Sequence, residues 1–391
     1  MPFGYLVSVL LLALCTLSAL VPARRPEPLA QLSFWFAAPV NEVPFAALAW
    51  LLLSTLLALT EGDLASPGGG VATGLAALTA GGLALVAARG LRARNALDLA
   101  LAEALDTHRP APTTPAPDAR PRRPRPWARI LAAPFARGRR RAVVRVPNIS
   151  YGPAGRRNLL DVYHHRTRPT GAPVLIHLHG GGYHHGRKNS QSLPLLYRFA
   201  SHGWVCVSAN YRLRPGVKHP EHLIDLKRVI AWVRAHSGEY GGDPAVLVVS
   251  GSSAGGHMAA LAALTPGDPA FQPGFENADT SVTAVIALNG YFGNYYGQGA
   301  HSSPLAHVSA DAPPFFIAHG DNDTMVPIEG ARVFADALRR ASANPVVYAE
   351  LHGAQHAFDL HSSPRFEAVV DAAESFTTWV VSHAPHPQTR N

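Results

Sequence analysis

The chain has 391 residues, 34 basic against 26 acidic side chains, a formal charge of +8 and an apolar fraction of 47%. That length accommodates one large α/β domain plus further elements, and two cysteines set far apart, Cys15 and Cys206, exclude a disulfide framework. A positive balance alone admits nucleic acid or an anionic membrane as partner, so its placement along the chain has to decide.

Residues 3–21, 43–60 and 71–88 carry no charged side chain. Each is about as long as a helix that crosses a bilayer, which predicts about three transmembrane helices. A cleaved signal peptide fits the first run poorly, because no basic residue precedes it. Gly74, Gly81 and Gly82 make the third run the least apolar, with a buried or re-entrant helix as its alternative, although small residues also let membrane helices pack closely. Arg24 and Arg25 follow the first run, Glu61 and Asp63 the second, and Arg89, Arg92 and Arg94 the third. Basic residues stay on the cytoplasmic side, so the pattern predicts a multi-pass protein of the cell membrane with its N-terminus outside and everything after residue 89 in the cytoplasm.

Residues 91–106 predict a short helix, and the seven prolines within 107–126 predict an extended linker. Residues 120–145 hold ten arginines and no acid, so the net charge is local. Beside a membrane helix such a segment is drawn to anionic head groups as readily as it stays solvated, whereas no nucleic-acid-binding motif accompanies it and nucleic acid is an unlikely partner. The expected organisation is a membrane region, 1–90; a helix, Pro/Arg-rich linker and basic segment, 91–140; and a catalytic domain, 141–391.

From residue 143 onward, β-rich runs alternate with helical ones, the pattern of an α/β fold with a mostly parallel central sheet flanked by helices. Strands are predicted at 143–146, 158–163, 174–178, 205–209, 246–250, 282–288, 315–318 and 346–351. Helices are predicted at 221–236, where Leu223, Leu226, Val229, Ile230 and Val233 share one face, and at 257–264, 329–341 and 365–383.

The strand ending at Ser250 runs into Gly251-Ser252-Ser253-Ala254-Gly255 and an alanine-rich stretch, the strand, sharp turn and helix of a nucleophile elbow. Only the central residue of such a turn points outward, so Ser253 is the candidate nucleophile and Ser252 a small residue filling the turn. His179-Gly180-Gly181-Gly182-Tyr183 follows the strand 174–178 and looks like the HGGG oxyanion loop of lipases and esterases. A serine needs a base, and the base an acid to orient it. Candidates lie downstream in the order acid, then base: Asp321 and Asp323 after strand 315–318, then His352, His356 and His361 around Gly353-Ala354-Gln355-His356-Ala357-Phe358.

With these motifs in order, residues from about 140 to 385 resemble the α/β-hydrolase superfamily, and within it the HGGG-type esterase and lipase branch related to hormone-sensitive lipase. The resemblance implies Asp323 as the acid, from its HG-x-x-D-x-x-VP pattern, and His356 as the base, from G-x-x-H-x-F. It implies Gly181, Gly182 and Ala254 as oxyanion-hole donors, and structural roles for Asn210-Tyr211-Arg212-Leu213 and Asp225. No cofactor or metal is implied, and the pairs His164-His165 and His184-His185 are read as surface residues.

The chain departs from that branch in its apolar N-terminus, where larger esterases often build part of a cap. The loop 290–313 is therefore the expected lid, with Tyr291, Phe292, Tyr295 and Tyr296 either lining an acyl pocket or packing the loop. The expectation is a membrane-anchored serine carboxylic-ester hydrolase that forms an acyl-enzyme and takes a lipid or small-molecule ester. An acyltransferase with the same triad and a catalytically silent membrane scaffold are its rivals.

Overall fold

The computed structural model describes residues 3–106, 126–132 and 140–383. Except for Pro126, the predicted linker 107–126 lies outside them.

The N-terminal part of the described chain is helical: α1 (Phe3–Leu20), α2 (Glu27–Asn41), α3 (Pro44–Thr60) and α4 (Pro67–Asp106), with a short α5 (Trp127–Leu131) after them. The three apolar runs fall in α1, α3 and the first half of α4. Helices α1 and α4 are long and apolar enough to cross a membrane, whereas α2 and α3 pass that test only as a pair bent by 81°. Val9, Leu51, Ala72, Leu83 and Val86 hold α1, α3 and α4 together, and Tyr5 meets Thr55 across them at 3.1 Å. At Gly82 the helices approach so closely that a Cβ would lie 2.6 Å from the Thr16 methyl, the contact that a small residue permits. Their outer faces expose Leu10, Leu14, Leu17, Leu53, Leu56 and Leu78.

Helix α4 does not stop where the third apolar run ends. It continues through the residues expected as a separate short helix, for 40 residues and about 60 Å at 1.5 Å per residue. Ala93, Leu97, Ala100, Ala104 and Leu105 of its second half are buried in one core of the α/β domain.

That domain contains, in chain order, β1 (Val143–Ser150), β2 (Leu159–His165), β3 (Ala172–Leu178), α6 (Leu193–Ser201), β4 (Val205–Ala209), α7 (Glu221–His236), β5 (Gly242–Ser252), α8 (Ala254–Leu264), β6 (Ala284–Leu288), β7 (Phe315–Gly320), α9 (Glu329–Ala341), β8 (Val346–Leu351) and α10 (Pro364–His383). The strands form an 8-stranded sheet in the order β1-β2-β4-β3-β5-β6-β7-β8. Strand β2 runs antiparallel to both β1 and β4, and from β4 to β8 all neighbours are parallel. A parallel sheet covered on both faces needs apolar residues in both pleat positions. The strands supply them: Val174, Ile176, Phe315 and Ile317 face the core under α7, α8 and α9, and Leu175, Val248 and Phe316 face the core under α4, α6 and α10.

Two expectations about polar residues change. His164 is buried rather than at the surface, and Arg145 of the basic segment is committed to Asp161 in β2 at 2.6 Å. Arg212 grips Asp225 through Nε and Nη2, at 2.9 Å in each case, a bidentate tie between the loop after β4 and α7.

Candidate active site

In a parallel sheet the loops that leave the carboxyl ends of adjacent strands converge, and this is where α/β domains bind ligands. Leu178 pairs with Gly251, Ser252 with Leu288 and Gly320 with Leu351, so the glycine loop after β3, the elbow after β5 and the loops after β7 and β8 emerge at one edge.

Ser253 occupies the tip of the elbow with φ 53° and ψ −119°, outside the regions that L-residues favour. Its carbonyl accepts from His257 N at 3.0 Å and its N–H donates to Leu288 O at 2.8 Å, so α8 and β6 hold the turn in place. A Cβ on Gly255 would lie 2.2 Å from Leu178 O, so helix and strand pass too closely there for any side chain.

The glycine loop lies against this turn. A Cβ on Gly180 would sit 3.0 Å from that of Ser253, and Gly181 adopts φ +109°, a conformation that favours glycine. Among the described residues, the N–H groups of Gly181, Gly182 and Ala254 donate to no protein acceptor, and Ala254 stands at the first turn of α8, where N–H groups lack intrahelical partners. The His179 ring stacks on Tyr211 at 4.4 Å, and Tyr211 Oη donates to His179 O at 2.8 Å, which fixes the loop from below. Burial drives the His179 pKa down to about 4.

Geometry separates the acidic candidates. Asp323 is buried; its Oδ2 lies 2.6 Å from His356 Nδ1, and its Oδ1 accepts from Met325 N at 2.9 Å and Val326 N at 2.8 Å. Asp321 instead meets His352 at 2.8 Å and accepts from Gly353 N at 2.7 Å, away from His356. Burial penalises the Asp323 charge, but the His356 ring and hydrogen bonds from His319 and His356 outweigh it and hold the carboxyl well below its ordinary range. For His356, burial disfavours the imidazolium, and the Asp323 carboxylate more than compensates, so its pKa stands above the usual value. With Nδ1 held by Asp323, Nε2 is the nitrogen left for an exchangeable proton.

A second buried carboxylate, which the motifs did not single out, binds the loops to one another. Asp359, three residues after His356, accepts from Gln191 Nε2 at 2.9 Å, from Ser252 Oγ at 2.5 Å and from Ser192 Oγ. Gln191 Oε1 in turn accepts from Gly180 N at 2.7 Å. The histidine loop, the elbow and the glycine loop are therefore joined through one carboxylate, and the Ser252 hydroxyl does more than fill a turn. Gln355 adds a further tie, its Oε1 accepting from Thr324 N at 2.8 Å and His356 N at 2.9 Å.

The loop 290–313 divides its aromatics. Phe292 is buried and stacks on Phe334 at 4.3 Å, and buried Tyr295 bonds His222 Nε2 at 2.9 Å, so these two pack the loop. Tyr291 and Tyr296 are exposed, and Tyr296 Oη donates to Gly182 O at 2.7 Å, directly on the glycine loop.

The opposite wall is formed by the N-terminal helices. The Phe34 ring of α2 meets His356 edge-on at 6.2 Å, Thr324 Oγ1 donates to Ala30 O at 3.0 Å, and Arg24 Nη2 donates to Asp321 O at 2.6 Å. Between α2 and α3, Glu42 pairs with the buried Arg365 and accepts from Ser363 Oγ at 2.5 Å, while Asn41 Nδ2 donates to Gly353 O at 3.0 Å. The helical region thus sits on the loops that carry Asp323 and His356, in the place where the sequence suggested that a cap was lacking.

A family model described as BD-FAE matches residues 160–293 and 294–338. The chain is 40% identical over 410 residues to the probable carboxylic ester hydrolase LipM of Mycobacterium tuberculosis, covering 95% of this chain and 92% of that protein, so the likeness extends into the N-terminal helices. It is 42% identical to the esterase LipQ of the same organism over 264 residues, 61% of this chain and 63% of that one. Among solved structures, apo esterase 2 of Thermogutta terrifontis is similar with a TM-score of 0.54 at 28% identity, covering 61% of this chain and 96% of that one.

Proposed function

Since the chain belongs to the BD-FAE family of α/β-hydrolase esterases and is a carboxylic-ester hydrolase, we propose that it works through an acyl-enzyme at Ser253, with His356 as base and then acid and Asp323 as the residue that orients it. The observation that carries this reading is the 2.6 Å bond between Asp323 Oδ2 and His356 Nδ1, which occupies Nδ1 and leaves Nε2 for proton transfer. His356 Nε2 takes the proton of Ser253 Oγ as the oxygen attacks the ester carbonyl. The former carbonyl oxygen gains negative charge and is received by the N–H groups of Gly181, Gly182 and Ala254, which donate to no protein acceptor among the described residues. Collapse breaks the bond to the alcohol, which departs with the proton from His356. Water then attacks the acyl-enzyme, again giving its proton to His356, and the carboxylic acid leaves as that proton returns to Ser253. No cofactor enters these steps.

The same reading places the protein in the cell membrane through α1, α3 and the first half of α4, with the catalytic domain on the cytoplasmic side and a lipophilic ester as substrate. Supporting it are the leucine-covered outer faces of these helices and the basic residues Arg24, Arg25, Arg89 and Arg92 at the ends nearer the α/β domain. Turnover of a short-chain nitrophenyl ester by the full chain tests the chemistry: Ser253→Ala is expected to lower kcat by about 10⁶-fold. Substantial turnover by that variant contradicts the assignment, and a folded wild-type protein that neither turns over the ester nor reacts with a fluorophosphonate points to a silent scaffold.

A further inference from the structure

Helix α2 lies where the membrane region and the catalytic loops meet. Helix α1 ends at Leu20 and α3 begins at Pro44, so α2 spans the boundary at which two apolar helices end, and it crosses the axis of α3 at 81°. A helix that joins two spanning helices at such an angle lies in the plane of the membrane surface, the position of an interfacial amphipathic helix. Its faces suit that position. Ala30, Ala37 and Val40 are buried against the protein, whereas Leu29, Leu32 and Trp35 are exposed.

Along the edge of α2 next to the catalytic loops runs a groove of about 340 Å³, with Trp35, Ala38 and Pro39 on the helix side and Ala357 and Leu360 on the other; His356 contributes to its wall. This volume falls within the range of small-molecule sites, roughly 300–1,000 Å³. Its lining holds no Lys or Arg. Of its polar members other than His356 and His361, Asn41 is bonded to Gly353 O and Arg365, Glu42 to Ser363 and Arg365, and Gln355 Oε1 to two backbone N–H groups. Gln355 Nε2 is buried, with no hydrogen-bond partner among the described residues. The groove therefore offers a largely apolar track whose lining includes both the exposed Trp35 and Leu360 side chains and the base of the proposed triad.

We propose that this groove binds the acyl chain of a bilayer-resident ester, which reaches Ser253 sideways from the membrane, past α2. The proposal rests on the membrane-anchored esterase reading above. A chain lying at the depth of α2 enters between Trp35 and Leu360 with its ester end toward His356, and the alcohol portion faces the Tyr291 and Tyr296 side of the site.

Photo-crosslinking separates this proposal from the reading beneath it. Full-length Ser253→Ala protein is reconstituted in phosphatidylcholine vesicles that contain a diacylglycerol bearing a diazirine at the end of one acyl chain, irradiated, and mapped by mass spectrometry. Adducts are expected on residues 35–39 and 357–361 as well as on the outer faces of α1 and α3. Adducts on α1 and α3 with none on either groove segment overturn the proposal and leave the anchoring reading intact. If no helix is labelled, the anchoring reading fails and the proposal with it. A second measurement is kinetic: Ala38→Trp, which fills the groove, is expected to lower the ratio of kcat/KM for vesicle-borne diacylglycerol to that for a soluble butyryl ester by tenfold or more. A soluble, folded variant with an unchanged ratio overturns the proposal.

Discussion

His356 is subject to two opposing influences, burial that disfavours its charge and the Asp323 carboxylate that favours it, and the second is the stronger. A protonated His356 cannot take the proton of Ser253, so kcat/KM should rise with pH and reach half its plateau above the ordinary imidazole value of 6.5. In Asp323→Asn the compensating charge is gone and burial remains, so the acidic limb should move to lower pH while the plateau falls by about 10⁴-fold, as expected when a base loses its orienting carboxylate. A pH–rate profile of both proteins tests the pair of opposite shifts; an acidic limb that stays in place in the variant contradicts the assignment. Asp359 acts at one remove. Asp359→Ala leaves the Gln191, Ser192 and Ser252 donors without their acceptor, at about 1–3 kcal/mol for each buried group left unsatisfied. Because these donors tie the elbow to the glycine loop, the loss should fall on kcat more than on KM. Asp359→Asn keeps an acceptor and removes a charge that raises the His356 pKa, so it should retain more activity and shift the acidic limb downward. Equal losses in the two variants with unmoved pH profiles would mean that Asp359 serves folding alone.

At the level of elements, the long helix α4 joins the two halves of the molecule. Leu97 is 1% exposed and packs in the same core as Phe366, Phe376 and Leu351, and Arg94 pairs with Asp371 of α10 at 2.8 Å. Leu97→Ala should therefore destabilise the α/β domain by about 2–5 kcal/mol, the usual cost of truncating a buried leucine, although it stands outside the hydrolase motifs. Chemical denaturation followed by ester turnover measures it, and a loss below 1 kcal/mol would show that α4 merely rests on the domain. The sequence concealed this role because residues 91–106 read only as a short helix, with nothing in their local pattern to name the surface they pack against. Strands β4 and β8 and helices α7 and α9 were legible to the residue, since their β-branched runs and helical period both point to burial in a two-faced sheet. Helices α2 and α6 were not. Each begins with a proline in its first turn, Pro28 and Pro194, a starting signal that is easily taken for a loop when the run is short. Glycine spacing and chain order marked Ser253 and the glycine loop and bracketed the acid and base, and the family resemblance implied Asp323, His356 and the oxyanion donors among them, whereas Asp359 and Gln191 are joined only in three dimensions and no local pattern marks either.

For the molecule as a whole, orientation follows from connectivity once one contact is fixed. Arg24 binds the backbone of Asp321, and a Cβ on Gly353 would lie 2.6 Å from the Arg89 side chain, so the loop after α1 and the midpoint of α4 both rest on the catalytic domain. In the membrane-anchored arrangement proposed above, that loop and the domain share a side of the membrane, and the turn between α3 and α4, with Glu61 and Asp63, lies on the other. The basic residues of the helical region are all at the domain end, and their usual retention makes that the cytoplasmic end in the proposed arrangement. A cysteine at Glu61 reports the far side, because Cys15 and Cys206 are both buried and leave little background. In right-side-out vesicles Glu61→Cys should react with a membrane-impermeant maleimide while the catalytic domain resists added protease. In inverted vesicles the outcomes should exchange. Labelling and digestion on the same side would mean that α4 does not cross between Glu61 and the domain and would remove the three-span arrangement. Digestion in right-side-out vesicles, with labelling confined to inverted ones, would keep that arrangement and reverse its direction.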